Sequence, residues 1–239
     1  MLDRFIDPLE SPHSEMVAEE MALIASSIPF VGGIISGLAN DFVFSRKNAR
    51  LGKFLEKLYI ELKQQGERIS ENKTNNEDYR NIAEDIFDKA STCRQQEKLD
   101  AFRALFINVT FSNAPKYEEA LEVASLIDRW QDRHILLIKI LDNPWEGTGE
   151  LKGTTERGTG SINATLKEIL TWNDSEITRT WKELYNAGIS NTSETGGMMS
   201  VSGAAALEHR LTDFGHVVAN YIKNPVTDDG LENIMPQPS

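Results

Sequence analysis

The segment Asn173-Asp174-Ser175-Glu176-Ile177-Thr178-Arg179-Thr180-Trp181-Lys182-Glu183-Leu184-Tyr185-Asn186-Ala187-Gly188-Ile189 constrains the fold of this chain more than any other. Ile177, Trp181 and Leu184 recur at spacings of four and three, which places them on one face of a helix. Asp174 or Ser175 is suited to cap its start, and Gly188 to stop it. A helix with a single apolar stripe is stable only when that stripe is laid against other elements. Candidates for those elements lie on both sides. Ser161 can cap a helix over Ile162–Leu170 with Ile162, Leu166, Ile169 and Leu170 inward, and Thr171–Asp174 makes the turn. Downstream, Ser190–Ala206 is rich in Ser, Thr, Gly and Ala, with Glu194-Thr195-Gly196-Gly197 as a hairpin tip. Thr212 then caps a last helix, Asp213–Ile222.

This order, with the Leu184-x-x-x-Gly188-Ile189 ending and the Leu211-Thr212-x-x-Gly215 motif, resembles the recognition helix, wing and closing helix of a winged helix-turn-helix domain. The resemblance covers Arg129 to Lys223. It implies a binding module in which the exposed side chains of the recognition helix meet the major groove of DNA or a protein partner. On this helix those residues are Thr178, Arg179 and Lys182. Glu176 and Glu183 stand beside them and repel phosphate. The Trp145–Gly160 loop and the Ser190–Glu208 wing are both longer than the family pattern.

Charge bears on the choice of partner. The 239 residues carry a net charge of −12. Residues 1–128 contribute −7 and residues 129–239 contribute −5, so neither half has the basic footprint usual for a DNA-binding domain. The single cysteine, Cys93, excludes an internal disulfide and a multi-cysteine metal site, which fits a reducing compartment.

The N-terminal half reads as all-α. Residues 1–16, with Pro8 and Pro12, form a flexible leader. Met21 to Asn40 is an uncharged run of about the length that spans a bilayer. It contains Ile28, Phe30, Val31, Ile34, Ile35 and Leu38, interrupted by Pro29, Gly32, Gly33 and Gly37. Arg46, Lys47, Arg50 and Lys53 follow at once. Two readings stand side by side. One is a buried helix, a bend and a second helix within a bundle. The other is a membrane segment whose basic flank faces anionic lipid and stays in the cytoplasm. Beyond it, Leu51, Leu55, Leu58 and Leu62 make a helical stripe. A second helical block spans Glu77–Ser112, with stripes Ile82, Ile86, Phe87, Ala90 and Leu99, Phe102, Leu105, Phe106, Val109. Pro115 separates it from a third, Lys116–Leu141, bent or broken near Asp128-Arg129.

Several chemistries lack their residues. Lys152 precedes Gly153 rather than following a glycine, so the Gly-rich loop is not a P-loop. His13, His134, His209 and His216 are scattered and form no zinc motif. Glu84, Asp85 and Asp88 read as a solvated acidic face. No nucleophile–base arrangement is visible, and no enzyme, cofactor, metal or small-molecule substrate is expected.

The layout of the N-terminal half adds a second resemblance. An apolar Gly-containing segment, a basic helix, the stretch Leu99-Asp100-Ala101-Phe102-Arg103-Ala104-Leu105-Phe106 and the His134–Leu141 helix follow in that order. This is similar to proteins of the abortive-infection alpha group of bacteria and their mobile elements, and implies a non-enzymatic role in phage defence. The expected architecture is mainly α. A helical domain over 17–142 precedes a winged helix over 143–223 with a small β-hairpin wing, its first helix drawn from 129–142, and residues 224–239 form a disordered tail. The expected activity is binding to a protein partner or to itself, with DNA regulation as the alternative. The expected place is the cytoplasm or the inner membrane surface.

Overall fold

A computed structural model describes residues 54, 55, 57, 58, 60–62, 76–142, 163, 166, 167, 171–193 and 210–224. These are mainly helical. The helices with full bounds are α1 (Glu77–Thr92), α2 (Gln96–Phe111), α3 (Tyr117–Arg129), α4 (Asp132–Asp142), α5 (Asp174–Asn186) and α6 (Asp213–Ile222). The 1–16 leader, the Met21–Asn40 run with Ile28, Phe30, Val31, Ile34, Ile35 and Leu38, the basic residues Arg46, Lys47, Arg50 and Lys53, and the Trp145–Gly160 loop lie outside the described residues. So does the tail beyond Asn224. Among the described residues no helix is long and apolar enough to cross a membrane.

The chain divides into two compact units, one made of Met1–Arg94 with Val109–Leu121 and the other of Gln95–Asn108 with Glu122–Ser239. In the first unit, the Asn76 side chain accepts the Tyr79 N–H at 2.9 Å and starts α1, with Glu77 and Asp78 placed favourably against the helix dipole. The stripe Ile82, Ile86, Phe87 and Ala90 is buried, and Phe54 meets the Phe87 ring edge-on at 6.0 Å. The Tyr79 hydroxyl, fully buried, is satisfied by Thr110 Oγ1 at 2.8 Å. The single block expected over Glu77–Ser112 is broken at Cys93–Gln95. Cys93 is extended, and its N–H bonds back to Lys89 and Ala90 to close α1.

The Gln96–Asn108 part of α2 belongs to the second unit. It buries the expected Leu99, Phe102, Leu105 and Phe106, but also Ala101, Ala104 and Ile107, so nearly its whole circumference is covered. Two of its cations are buried with partners: Lys98 donates to Asp128 O at 2.6 Å and Arg103 to Asp100 at 2.6 Å. The third block breaks one residue later than expected, at Trp130–Gln131. Trp130 N–H closes α3 on Leu126 O, and His134 N–H opens α4 on Gln131 O. Helix α4 is the centre of this unit. Every residue from His134 to Leu141 except Lys139 is buried, and α5 and α6 both pack on it.

The cap of α5 is Asn173 rather than Asp174 or Ser175. Its side chain accepts the Glu176 N–H while the Glu176 carboxylate accepts the Asn173 N–H, each at 3.0 Å. Only Asn173 has the glutamate three residues on that this reciprocal box requires. At the other end, Ile189 N–H reaches Leu184 O and Gly188 N–H reaches Tyr185 O, both at 2.9 Å. Gly188 has φ 71°, the left-handed conformation this ending needs. The chain then returns through one antiparallel bridge, Ser190 with Leu211. No two-stranded hairpin is formed among the described residues, and the expected wing tip at Glu194–Gly197 lies outside them. Thr212 caps α6 as expected, accepting the Gly215 N–H at 2.9 Å and donating its own N–H to Ile189 O. A Cβ on Gly215 would stand 2.2 Å from Ile189 O, so the closing motif depends on a residue without a side chain there.

Candidate interaction surface

Helix α5 turns Ile177, Thr180, Trp181 and Leu184 inward. The indole N–H of Trp181, fully buried, donates to Asn163 Oδ1 at 3.0 Å. With that face committed, Thr178, Arg179 and Lys182 are all exposed, as the spacing requires. They lie in a shallow open depression along the helix, lined with them by Asp174, Ser175, Glu183 and Asn186. Tyr185 stands at the edge of the same face and is 47% exposed.

The inner flank of α5 is tied to α4 by two polar links. Arg133 reaches the Glu176 capping carboxylate at 3.4 Å, and His134 Nε2 meets Glu183 Oε2 at 2.6 Å. Residues 176 and 183 are two turns apart, so the links hold one edge of the helix along most of its length. His134 is buried and stacked on Trp130, with ring centroids 6.1 Å apart and planes at 9°. Its Nδ1 lies 3.1 Å from the Gln131 nitrogen and 3.3 Å from the Gln131 carbonyl oxygen, and because an ionised Glu183 can only accept, the neutral ring carries its proton on Nε2 and donates to Glu183.

Glu183 also accepts from the exposed Arg179 at 2.5 Å. Burial works against the charge on Glu183, but the hydrogen bonds from Arg179 and His134 outweigh it and hold the carboxyl below its usual range. The same hydrogen bond keeps Arg179 more firmly charged than usual. Burial depresses His134, an effect that Glu183 only partly offsets, so the ring stays neutral to lower pH than a free imidazole. At the start of the helix Asp174 pairs with Lys167. The outer surface of α5 is therefore polar and close to neutral, with Arg179 and Asp174 both engaged by opposite charges.

The Arg179–Glu183 pair is readable from its spacing of four. The His134–Glu183 link joins residues 49 apart and has no local signal. Elsewhere, Asp85 is paired with Lys89, so the Glu84–Asp85–Asp88 group is a partly neutralised helix face. Among the described residues no group of three or more His, Cys, Asp or Glu is placed to hold a metal ion.

Comparison of the chain with models of known protein families, with curated proteins and with solved structures gave no match.

Proposed function

We propose that this chain is a non-enzymatic interaction protein that binds a protein partner through the outer face of α5, carried on a helical frame of winged-helix type. The observation that carries this reading is the engagement of Arg179 by Glu183. The most exposed guanidinium of the surface is already bound to a carboxylate, so the face offers phosphate little net attraction. A neutral, hydrogen-bonding surface with a half-exposed tyrosine is instead the composition that protein interfaces favour. The frame supports the reading through its helix order, the Asn173 and Thr212 caps and the Gly188 and Gly215 positions. The resemblance of the N-terminal layout to abortive-infection proteins favours a partner in bacterial defence, with the Met21–Asn40 run as a membrane-docking element.

The exposure of Thr178, Arg179 and Lys182 also suits DNA, and one experiment separates the two. The full chain and its Lys182→Glu/Tyr185→Ala variant are compared for partner co-purification and for binding to random duplex DNA at low salt. The expected result is a specific partner lost in the variant, with no duplex binding by either. Tight duplex binding by the parent, weakened in the variant and steeply dependent on salt, would replace this reading with a DNA-binding one.

A further inference from the structure

We infer that the partner which the outer face of α5 fits is a second copy of this chain, packed antiparallel about a two-fold axis at Thr178. This rests on the protein-binding reading and names its partner. The charge arrangement is self-complementary about that residue. Asp174 lies four positions before Thr178 and Lys182 four positions after it, and all three are exposed. A two-fold axis through Thr178 brings Lys182 of each copy against Asp174 of the other, giving two symmetric ion pairs. Side-chain exposure of Asp174 is 82%, so its contact with the exposed Lys167 leaves it open to a second cation.

The ends of the face match in the same register. Tyr185 lies seven positions after Thr178, and the pairing carries it toward the turn at Thr171–Trp172 of the second copy. That turn has an independent peculiarity. Thr171 is a β-branched residue held at φ 56° on an exposed surface, where such a backbone is costly unless its surroundings fix it. A tyrosine ring packed on the turn would fix it. A helix of this length is about 20 Å long and buries less area than a standard interface, so the dimer is weak and concentration-dependent.

The test is sedimentation of the full chain from micromolar to several hundred micromolar, beside Asp174→Lys, Lys182→Glu and the double exchange. Each single exchange places like charges together at both symmetric contacts and is expected to weaken association roughly tenfold. The double exchange restores it. In a Cys93→Ala background, Thr178→Cys is expected to form a disulfide-linked dimer under mild oxidation. Helices packed 8–10 Å apart bring facing Cα atoms on the axis to roughly disulfide distance. A parent that stays monomeric throughout overturns the proposal, as does a dimer indifferent to both single exchanges and not linked through position 178. Either result with partner binding still lost in the Lys182→Glu/Tyr185→Ala variant removes self-pairing while leaving the protein-binding reading in place.

Discussion

His134 shows how one buried residue contributes to the pH response of the second unit. Its ring is held neutral in the fold, while the unfolded chain protonates the same ring near pH 6.5. The unfolded state therefore binds more protons, and stability falls as pH drops from about 6.5 toward the depressed folded value. Glu183 acts in the same direction at lower pH. Its carboxyl is depressed in the fold, so its contribution is present above the unfolded value of about 4.3 and lost below it. His134→Gln keeps an amide donor for Glu183 but removes the titration. It is expected to cost about 1 kcal/mol at pH 7.5 and to flatten the loss between pH 7.5 and 5.5, read as the urea midpoint at each pH. An equal loss in parent and variant would assign the titration to another group. Glu183→Gln tests the surface instead. It removes the carboxylate that engages Arg179, and low-salt duplex binding, absent in the parent, is expected to rise to a level that anisotropy detects. No rise would mean that Arg179 is not what Glu183 withholds from phosphate.

Short-range chemistry decided the elements, and that is the scale at which most of the fold was legible. The inward residues of α5, the Thr212 cap and the Gly188 stop follow from spacing and backbone preference. The Asn173 box was legible too, through the glutamate at position 176, although two acceptable cap residues beside it obscured the choice. Less legible were α2 and α4, because a helix buried on nearly all sides buries more than the one stripe its spacing shows. Breaks at Cys93 and Trp130 carry neither glycine nor proline, so no local signal marks them. Gly215 gives the element scale its test. It lies in the first turn of α6, where any Cβ collides with the Ile189 carbonyl that Thr212 also uses. Gly215→Ala must push α6 away from that carbonyl and is expected to cost about 2–3 kcal/mol, well beyond the small gain alanine brings to a helix interior. Chemical denaturation measures the loss. A neutral or stabilising result would mean the turn relaxes around the methyl group.

Links between residues far apart in sequence hold the second unit together, and here the sequence was silent. Asn108 on α2 is the clearest case. Its side-chain amide lies 3.0 Å from the carbonyls of Asn220, Tyr221 and Lys223, more than a hundred positions away. Those carbonyls lie at the end of α6, which has no basic residue in its last turn and no glycine at its cap. Helix ends leave such acceptors without intrahelical partners, so α2 supplies from a distance what local sequence does not. Nothing around Asn108 marks this role, since it depends on where the chain returns after folding. Asn108→Ala withdraws the donor and is expected to cost about 1–2 kcal/mol in the urea midpoint. Asn108→Asp keeps the shape but turns a carboxylate toward three carbonyl oxygens, so it is expected to cost more than alanine near neutral pH and to recover on acidification as the carboxyl regains a proton. Amide exchange should quicken first at Ala219–Ile222 in both variants, because the end of α6 is what the amide holds. Aspartate no worse than alanine at pH 7.5 would show that the end of α6 is held by packing on α4, with the Asn108 contacts incidental to it.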